Sequence, residues 1–311
     1  MYISNLSTIA DRYDALLLDL WGVVHDGTHL YPGVHGALTE LRKAGKKIIM
    51  LSNAPRRASK VEKVLNGLGI EPGLYDAVVS SGEVGYQWLA SGQNTLGKHY
   101  YYIGPDKDLD VTDGLDFTQV KTIPEAEFLL NVGFGSEEQN ASDWTEILQQ
   151  AKGRGLTMVC LNPDLEVVKL TGERFPCAGV LAQDYERLGG KVIWFGKPYG
   201  AVYEECLNSL SLRERAGVRD SQHTGTSNSR IVPHPLDANE RQALPEGEGI
   251  SKSRILAIGD SLDTDIRGAA DFGIDSVLIT GGILKNHTAQ EIEKICRVRN
   301  ISPTYMMPSL R

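Results

Sequence analysis

Carboxylates, a lysine and a hydroxyl recur in four short segments of this 311-residue chain. The segments begin at Asp19, Leu51, Gly196 and Gly259 and read DLWGVV, LSN, GKP and GDSLDTD. Each follows an apolar run that predicts a β-strand. In doubly wound sheets, ligands bind at the carboxyl ends of the strands. We therefore expect the four segments to meet at one edge of a sheet.

Three aspartates in these segments predict a metal site: Asp19, Asp260 and Asp265. Clustered carboxylates repel one another and are stable together only with a cation. Oxygen ligands select hard cations such as Mg²⁺, which keeps water ligands and binds substrate phosphate. The sequence therefore predicts a Mg²⁺ site at the sheet edge.

A phosphate site is predicted beside the metal. Ser52 and Asn53 can donate hydrogen bonds to phosphate oxygens, and Lys197 supplies a positive charge. A carboxylate nucleophile, a metal, a lysine and a hydroxyl suit phosphoryl transfer, in which positioning and charge stabilisation dominate. Each segment alone has an ordinary explanation, such as a turn or a helix cap. Their order along the chain, each after a strand, favours the chemical interpretation.

Alternating strands and helices must position these segments. Apolar runs predict strands at 15–20, 47–51, 77–80, 98–103, 127–132, 157–161, 191–195, 254–258 and 275–279. Helical patterns lie at 34–44, 59–68, 141–154 and 199–210. The alternation predicts a doubly wound α/β fold with a parallel sheet. The middle strands could form a small α/β domain of their own, and we expect the strand at 191–195 to return the chain to the first domain.

Composition narrows the classes of function. The length suits about two domains, and 41% hydrophobic and 23% charged residues are typical of a soluble globular protein. A net charge of −8 without a basic run argues against nucleic-acid binding and anionic membrane surfaces. No stretch approaches the ~20 apolar residues of a membrane helix. Four scattered cysteines and no signal-peptide core predict reduced thiols, no zinc site and a cytoplasmic location.

The four ordered segments resemble the motifs of the haloacid dehalogenase superfamily, most closely those of the NagD-type, class IIA phosphatases. The first motif and its loop extend from Asp19 to Gly33, and the fourth motif, from Gly259 to Asp265, has the class IIA form. The resemblance continues through Gly281 and Gly282. It implies a small phosphorylated metabolite as substrate, such as a sugar phosphate or an aryl phosphate. Because class IIA caps can mediate dimers, it also suggests a homodimer.

This resemblance implies a division of the chain. A Rossmann-like core would comprise residues 1–82 and 191–311, and an inserted α/β cap domain would comprise residues 83–190. Residues 213–252 are rich in Ser, Thr, Gly, Pro and charge. We predict that they form a mobile surface insertion in the core.

The resemblance also implies roles around the metal. Asp19 would attack phosphorus and become an aspartyl phosphate. Asp260 would bind Mg²⁺ together with Asp19 and the backbone carbonyl of Trp21. Asp265 would support the metal, directly or through water.

Further roles concern the substrate. Ser52 and Lys197 would hold the transferring phosphoryl group, with Asn53 beside them, and Lys197 would offset the charge of the nucleophile. Asn162 and Asp164 resemble a feature of the cap domain in this group. Since such caps cover the site and select the substrate, these two residues are candidates for substrate specificity.

Trp21 departs from the phosphatase pattern. Phosphatases of this superfamily usually carry a second Asp two residues after the nucleophile, which protonates the leaving group and later activates water. An indole can do neither, and acid–base catalysis is worth roughly 10²–10⁴-fold. His25 has a pKa range that suits a substitute, but we expect His25 and Asp26 to hold the loop.

Two other functions remain open. The 2-haloacid dehalogenases of the superfamily also lack Asp at this position, and they need no acid because halide leaves without a proton. Alternatively, the chain is a weakened hydrolase that binds a phosphorylated ligand without turnover. The intact Asp19, Lys197, Asp260 and Asp265 argue against this second alternative.

Overall fold

The computed structural model describes residues 1–92, 94–168, 173–220 and 250–311. Within these ranges the strands form a six-stranded sheet, a five-stranded sheet and a two-stranded hairpin. We call the first the core sheet and the second the cap sheet. The predicted α/β fold with a second, inserted α/β unit is confirmed.

The strands are, in chain order, β1 (Ala15–Leu18), β2 (Lys47–Ser52), β3 (Ala77–Ser80), β4 (His99–Ile103), β5 (Thr118–Val120), β6 (Phe128–Asn131), β7 (Thr157–Cys160), β8 (Glu166–Val168), β9 (Arg174–Pro176), β10 (Lys191–Trp194), β11 (Ile255–Gly259), β12 (Asp275–Ile279) and β13 (Tyr305–Met307). The α-helices are α1 (Val34–Lys43), α2 (Ala58–Gly67), α3 (Ser81–Ala90), α4 (Thr145–Gly153), α5 (Ala178–Arg187), α6 (Gly200–Asp220), α7 (Arg267–Phe272) and α8 (Ala289–Arg299).

The core sheet is parallel throughout, in the order β13-β12-β11-β1-β2-β3. The chain thus builds outward from β1 through β2 and β3, and then starts again at β11 on the other side of β1. This doubly wound order has its switch point between β1 and β11, where Leu18 pairs with Ile258. Ligands bind outside the carboxyl ends of the strands at such a point. Asp19 and Asp260 are the residues that follow these two strands.

The cap sheet is also parallel, in the order β10-β7-β6-β4-β5. The prediction that the strand at 191–195 returns to the first domain is wrong, because β10 pairs with β7 at the edge of the cap sheet. The half-buried pattern of β10 suits an edge strand in either sheet, and an apolar run does not specify its partner. The chain re-enters the core only after β10, so the predicted boundary at residue 190 precedes a cap strand.

One apolar cluster connects the two sheets. It contains Leu17 of β1, Val84 of α3 and Val202 of α6 together with Phe128 and Leu130 of β6. Separate clusters cover the far face of the core sheet and the far face of the cap sheet. Side chains alternate between the faces of a strand, so the central strands of each sheet contribute to two clusters.

The predicted mobile insertion is only partly described. The helix predicted at 199–210 continues to Asp220 as α6, so residues 213–220 are helical and do not belong to a surface loop. A scarcity of large apolar residues does not by itself distinguish a helix from a loop. Residues 221–249 lie outside the described ranges, and the rest of this prediction lies there with them.

Candidate active site

Asp19 is held at the end of β1 inside the protein. Its N–H donates to the carbonyl of Ile258 on the neighbouring strand at 2.9 Å, and the residue is only 9% exposed. Burial raises the pKa of Asp19 to about 7, although the nearby Lys197 ammonium opposes this change. A second cation, in addition to the Lys197 ammonium, would favour the ionised carboxylate below neutral pH.

Lys197 joins the predicted segments. Its buried ammonium lies 2.5 Å from Asp19 Oδ1 and 2.6 Å from Asp265 Oδ1, and it also donates to the carbonyl of Leu51 at 3.4 Å. Burial lowers the pKa of Lys197, but the two adjacent carboxylates outweigh burial and hold it well above its usual value. The side chain is therefore a fixed positive charge between the first and fourth segments.

The predicted aspartate cluster is present. Carboxylate oxygens of Asp19, Asp260 and Asp265 lie within 4.8 Å of one another, and all three residues are buried. Burial raises the pKa of Asp260, and the charges of the other two carboxylates raise it further. Three hard oxygen donors with this mutual repulsion fit a divalent cation such as Mg²⁺.

Glycines let the backbone close around this cluster. A Cβ atom at Gly22 or at Gly282 would lie 2.0 Å from Asp260 Oδ2, and a Cβ at Gly259 would lie 2.0 Å from Asp265 Cγ. Gly22 also has a φ of +86°, which L side chains rarely adopt. The glycines of the first and fourth segments therefore make room for the acidic side chains.

Ser52 and Asn53 have different surroundings. Ser52 Oγ accepts a hydrogen bond from the N–H of Ala54 at 3.2 Å. Asn53 Oδ1 accepts from the Lys197 N–H at 2.7 Å, and its Nδ2 donates to the Lys197 carbonyl at 3.1 Å and to Asp164 Oδ1 at 2.8 Å. Both polar atoms of the Asn53 amide are thus occupied by protein partners. The amide holds the backbone of the third segment, a role that the sequence did not predict.

Asp164 is a residue of the cap that contacts Asn53 of the core. It lies in the loop after β7, where its N–H donates to Asn162 Oδ1 at 3.1 Å. Burial raises the pKa of Asp164 to about 6, and this carboxylate in turn raises the pKa of Asp19. Of the two predicted specificity residues, Asp164 therefore lies near Asp19 and contacts Asn53, and Asn162 shapes the turn that carries it.

The loop after Asp19 is built around Trp21. The half-buried indole covers Gly27, where a Cβ would lie 2.5 Å from the ring, and it meets His25 edge to face at 5.9 Å. His25 Nδ1 accepts from the Gly27 N–H at 3.0 Å, and burial lowers the pKa of His25. Asp26 Oδ1 accepts two backbone N–H groups of the next turn at 2.7 Å. These contacts agree with the expectation that His25 and Asp26 hold the loop.

Two ion pairs join the segment after β2 to the cap. Arg56 Nε lies 2.7 Å from Asp108 Oδ1, and Lys60 Nζ lies 2.6 Å from Asp110 Oδ1. No local motif marks these residues in the sequence, because each pair joins positions about 50 apart. With Asn53 and Asp164, they hold the cap against the carboxyl end of β2.

The structure also describes the cysteines and the apolar character of the helices. The four cysteines are free, and three of them are buried. No helix in the described ranges combines the length and the apolar character that a membrane span requires.

Comparisons with known proteins cover the same segments. A family model of haloacid dehalogenase-like hydrolases matches residues 16–118, and a HAD-hydrolase-like model matches residues 194–311. A crystal structure of a haloacid dehalogenase-like hydrolase from Brucella suis 1330 is 32% identical, with a TM-score of 0.78. This similarity covers 99% of the present chain and 100% of the other.

Curated relatives are more distant in sequence. Phosphoglycolate phosphatase 2 from Arabidopsis thaliana is 22% identical over 90% of this chain and 87% of its own length. D-glycerol 3-phosphate phosphatase from Mycobacterium tuberculosis is 24% identical over 98% of this chain and 72% of its own length. The similarity to these relatives therefore extends over at least nine-tenths of this chain.

Proposed function

Because this chain belongs to the haloacid dehalogenase-like hydrolase family, we propose that it is a Mg²⁺-dependent phosphatase of small phosphorylated metabolites. The observation that carries this proposal is the position of Lys197, whose ammonium bridges Asp19 and Asp265 within a buried cluster of carboxylates. The relatives named as phosphatases of phosphoglycolate and glycerol 3-phosphate support ester hydrolysis. Sugar phosphates belong to the same class of small anionic esters.

Asp19 is the nucleophile in this proposal. Lys197 holds its Oδ1 at 2.5 Å, which leaves Oδ2 to attack phosphorus and form an aspartyl phosphate. A carboxylate nucleophile divides one difficult displacement into two easier ones. The fixed ammonium would stabilise the charge on the phosphoryl oxygens as each displacement proceeds.

The residues that would hold the metal lie beside those that would bind the phosphoryl group. Asp19, Asp260 and Asp265, with the backbone carbonyl of Trp21, would hold Mg²⁺, which when bound would offset the charge of the phosphate. Ser52 and Lys197 would bind the phosphoryl oxygens. Asn53 would contribute indirectly, since its amide fixes the backbone of Lys197 on both sides.

Phosphate release from an aryl phosphate, with and without Mg²⁺, tests the proposal. An aryl phosphate has a good leaving group, so the absence of an acid at Trp21 matters least there. We expect Mg²⁺-dependent release, and we expect Asp19→Asn to lose at least roughly 10³-fold in rate because the nucleophile is gone. Circular dichroism would show that the variant is folded.

Two results would contradict the proposal. Undiminished release by Asp19→Asn would remove the nucleophile assignment. A folded wild-type protein that releases no phosphate, but releases halide from 2-haloacids without metal, would be a dehalogenase instead.

A further inference from the structure

Expulsion of an alcohol from a phosphate ester requires a proton for the leaving oxygen. The proposed core residues do not supply one. Asp19 is the proposed nucleophile, Asp260 and Asp265 would hold the cation, and the ammonium of Lys197 is held between two carboxylates. Position 21 carries an indole, which is not an acid at neutral pH. The donor must therefore come from elsewhere.

The loop beside Trp21 does not supply the proton either. His25 Nδ1 is already an acceptor for the Gly27 N–H, and burial lowers the pKa of this imidazole. A neutral imidazole in this position is a weak acid. Asp26 is committed to two backbone N–H groups of its own turn. Both side chains therefore build the loop.

The cap supplies one further carboxylate. Asp164 influences the charge state of Asp19, but it is not part of the aspartate cluster that fits a metal. Asn53 Nδ2 holds Asp164 Oδ1 at 2.8 Å. Within the described part of the chain, Asp164 Oδ2 has no hydrogen-bond partner. One oxygen is thus anchored, and the other is left for a ligand or water.

Backbone packing fixes the loop that carries Asp164. A Cβ at Gly179 would lie 2.4 Å from the Pro163 carbonyl oxygen and 2.6 Å from that of Asp164. A Cβ at Gly196, the residue before the catalytic lysine, would lie 2.5 Å from Pro163 Cδ. The loop therefore packs closely against α5 on one side and against the third segment on the other.

The protonation state of Asp164 suits proton transfer in both directions. Burial raises its pKa to about 6, even though Lys197 and the Asn53 amide both favour the ionised form. Acid–base catalysis is most efficient when the pKa of the group lies near the operating pH. A carboxyl group in this range can donate a proton in one step and accept one in the next.

We propose that Asp164 is the catalytic acid and base of this enzyme, an inference that rests on the proposed phosphatase function. In the first step an Asp19 oxygen bonds to phosphorus, the ester P–O bond breaks, and the leaving oxygen takes the Asp164 proton. In the second step water attacks the aspartyl phosphate and gives a proton to the Asp164 carboxylate. The bond between phosphorus and Asp19 then breaks, and inorganic phosphate leaves.

The test is a set of esters whose leaving groups differ in pKa, with Mg²⁺ present throughout. Asp164→Asn is isosteric and keeps an acceptor for Asn53. We expect it to lose roughly 10²–10⁴-fold on glycerol 3-phosphate and far less in the first turnover of an aryl phosphate. The matched control is Glu166→Gln, which neutralises an exposed cap carboxylate paired with Arg174. The control should retain the wild-type dependence on the leaving group.

Rapid mixing gives a second readout. If Asp164→Asn is slow to activate water, an aryl alcohol should appear in a burst before phosphate, as aspartyl phosphate accumulates. Asp164→Ala should regain part of its alkyl-ester activity when formate is added as an external acid and base. Formate rescue of Asp164→Ala tests the same role if Asp164→Asn folds poorly.

The outcomes separate two kinds of failure. Equal losses on every ester with neither burst nor rescue would mean that Asp164 only shapes the substrate site, and unchanged rates would mean that it has no part in the reaction. Either result overturns the acid–base assignment and leaves the phosphatase proposal intact. A folded wild-type protein that hydrolyses no ester overturns both.

Discussion

Trp21 lies two residues after Asp19, the proposed nucleophile. Its indole cannot protonate the leaving oxygen of a phosphate ester, so this position of the core provides no acid. Trp21 packs on Gly27 and against the edge of His25, so it supports the loop and supplies no proton. If Asp164 carries the acid–base function from the cap, then a carboxylate at position 21 should be able to replace it. The two positions would be alternative origins for the same proton.

We therefore predict that Trp21→Asp restores alkyl-ester turnover in the Asp164→Asn background by at least roughly 10-fold, part of the usual worth of acid–base catalysis. The measurement is Mg²⁺-dependent phosphate release from glycerol 3-phosphate by the double variant. Loss of the half-buried ring should lower the melting temperature by a few degrees. A folded double variant that is no faster than Asp164→Asn would argue against this interchange.

The buried carboxylates also predict how pH affects stability. Burial raises the pKa values of Asp19, Asp164 and Asp260. At these three carboxyl groups, the metal-free folded state therefore binds more protons than the unfolded chain from about pH 4 to about pH 7. Stability falls with rising pH wherever the folded state binds more protons. These three groups should thus destabilise the metal-free protein as the pH rises through this window.

Magnesium should reverse the effect, because it binds the ionised cluster. We predict that Mg²⁺ raises the melting temperature more at pH 8 than at pH 5. An ion at 100 times its dissociation constant adds about 2.7 kcal/mol, which corresponds to several degrees. Thermal melts at both pH values provide the measurement, and Asp260→Asn should abolish the difference. Equal shifts at pH 5 and pH 8 would contradict the proposed site.

At the scale of structural elements, the turn after β12 can pack against Asp260 only because Gly282 has no side chain. Gly282 lies against Asp260, whose Oδ2 also accepts the N–H of Ile283 at 2.8 Å. We predict that Gly282→Ala displaces Asp260 and weakens Mg²⁺ activation of phosphate release by at least roughly 10-fold, since ligand position governs metal affinity. A magnesium titration of activity measures this.

The control is Gly36→Ala within α1, where a Cβ would meet nothing within 4 Å. An exposed helical glycine costs roughly 0.5–1 kcal/mol relative to alanine, so this control should be slightly more stable and equally active. Unchanged magnesium affinity in Gly282→Ala would show that the turn tolerates the extra carbon.

Several elements could be predicted from the sequence for physical reasons. The strands β1 and β2 are buried except for Lys47 and give continuous apolar runs, so their predicted bounds agree with the structure within two residues. The helix α3 was missed, since Gly82 and Gly85 lower helix propensity. Both glycines are needed, because a Cβ there would lie 2.3 Å from Pro55 or 2.2 Å from Leu161.

The partners of strands and side chains were harder to predict. The apolar run of β10 was visible, but its pairing with β7 was not. Asp164 was named as a specificity residue, yet its hydrogen bond to Asn53 joins positions 111 apart. No local pattern encodes such a contact. The candidate residues were thus predictable from their types, whereas the link between the cap and the core required the structure.

For the whole molecule, the apolar cluster between the sheets predicts cooperative unfolding. Undocking the cap would break this cluster and expose apolar side chains to water. We predict one thermal transition, with far-UV circular dichroism and tryptophan fluorescence coincident. Leu130→Ala should lower its midpoint by roughly 5–10 °C without splitting it.

Leu129→Ala is the matched comparison, since its side chain packs in the separate cap cluster. We expect a similar loss of stability from this neighbouring position. Two resolved transitions in either variant would show that the cap unfolds independently of the core.

The short stretch from Ser52 to Lys60 carries the proposed phosphate contact at one end and the two ion pairs with the cap at the other. If phosphate binding favours the arrangement of this stretch that docks the cap, then cap docking must favour phosphate binding to the same extent, because coupling between two sites is reciprocal. If Ser52 binds phosphate as proposed, phosphate binding and cap docking would therefore be linked equilibria. A substrate that also contacts the cap would then bind its phosphoryl group with higher affinity, and release of the product would weaken the docking of the cap on the core.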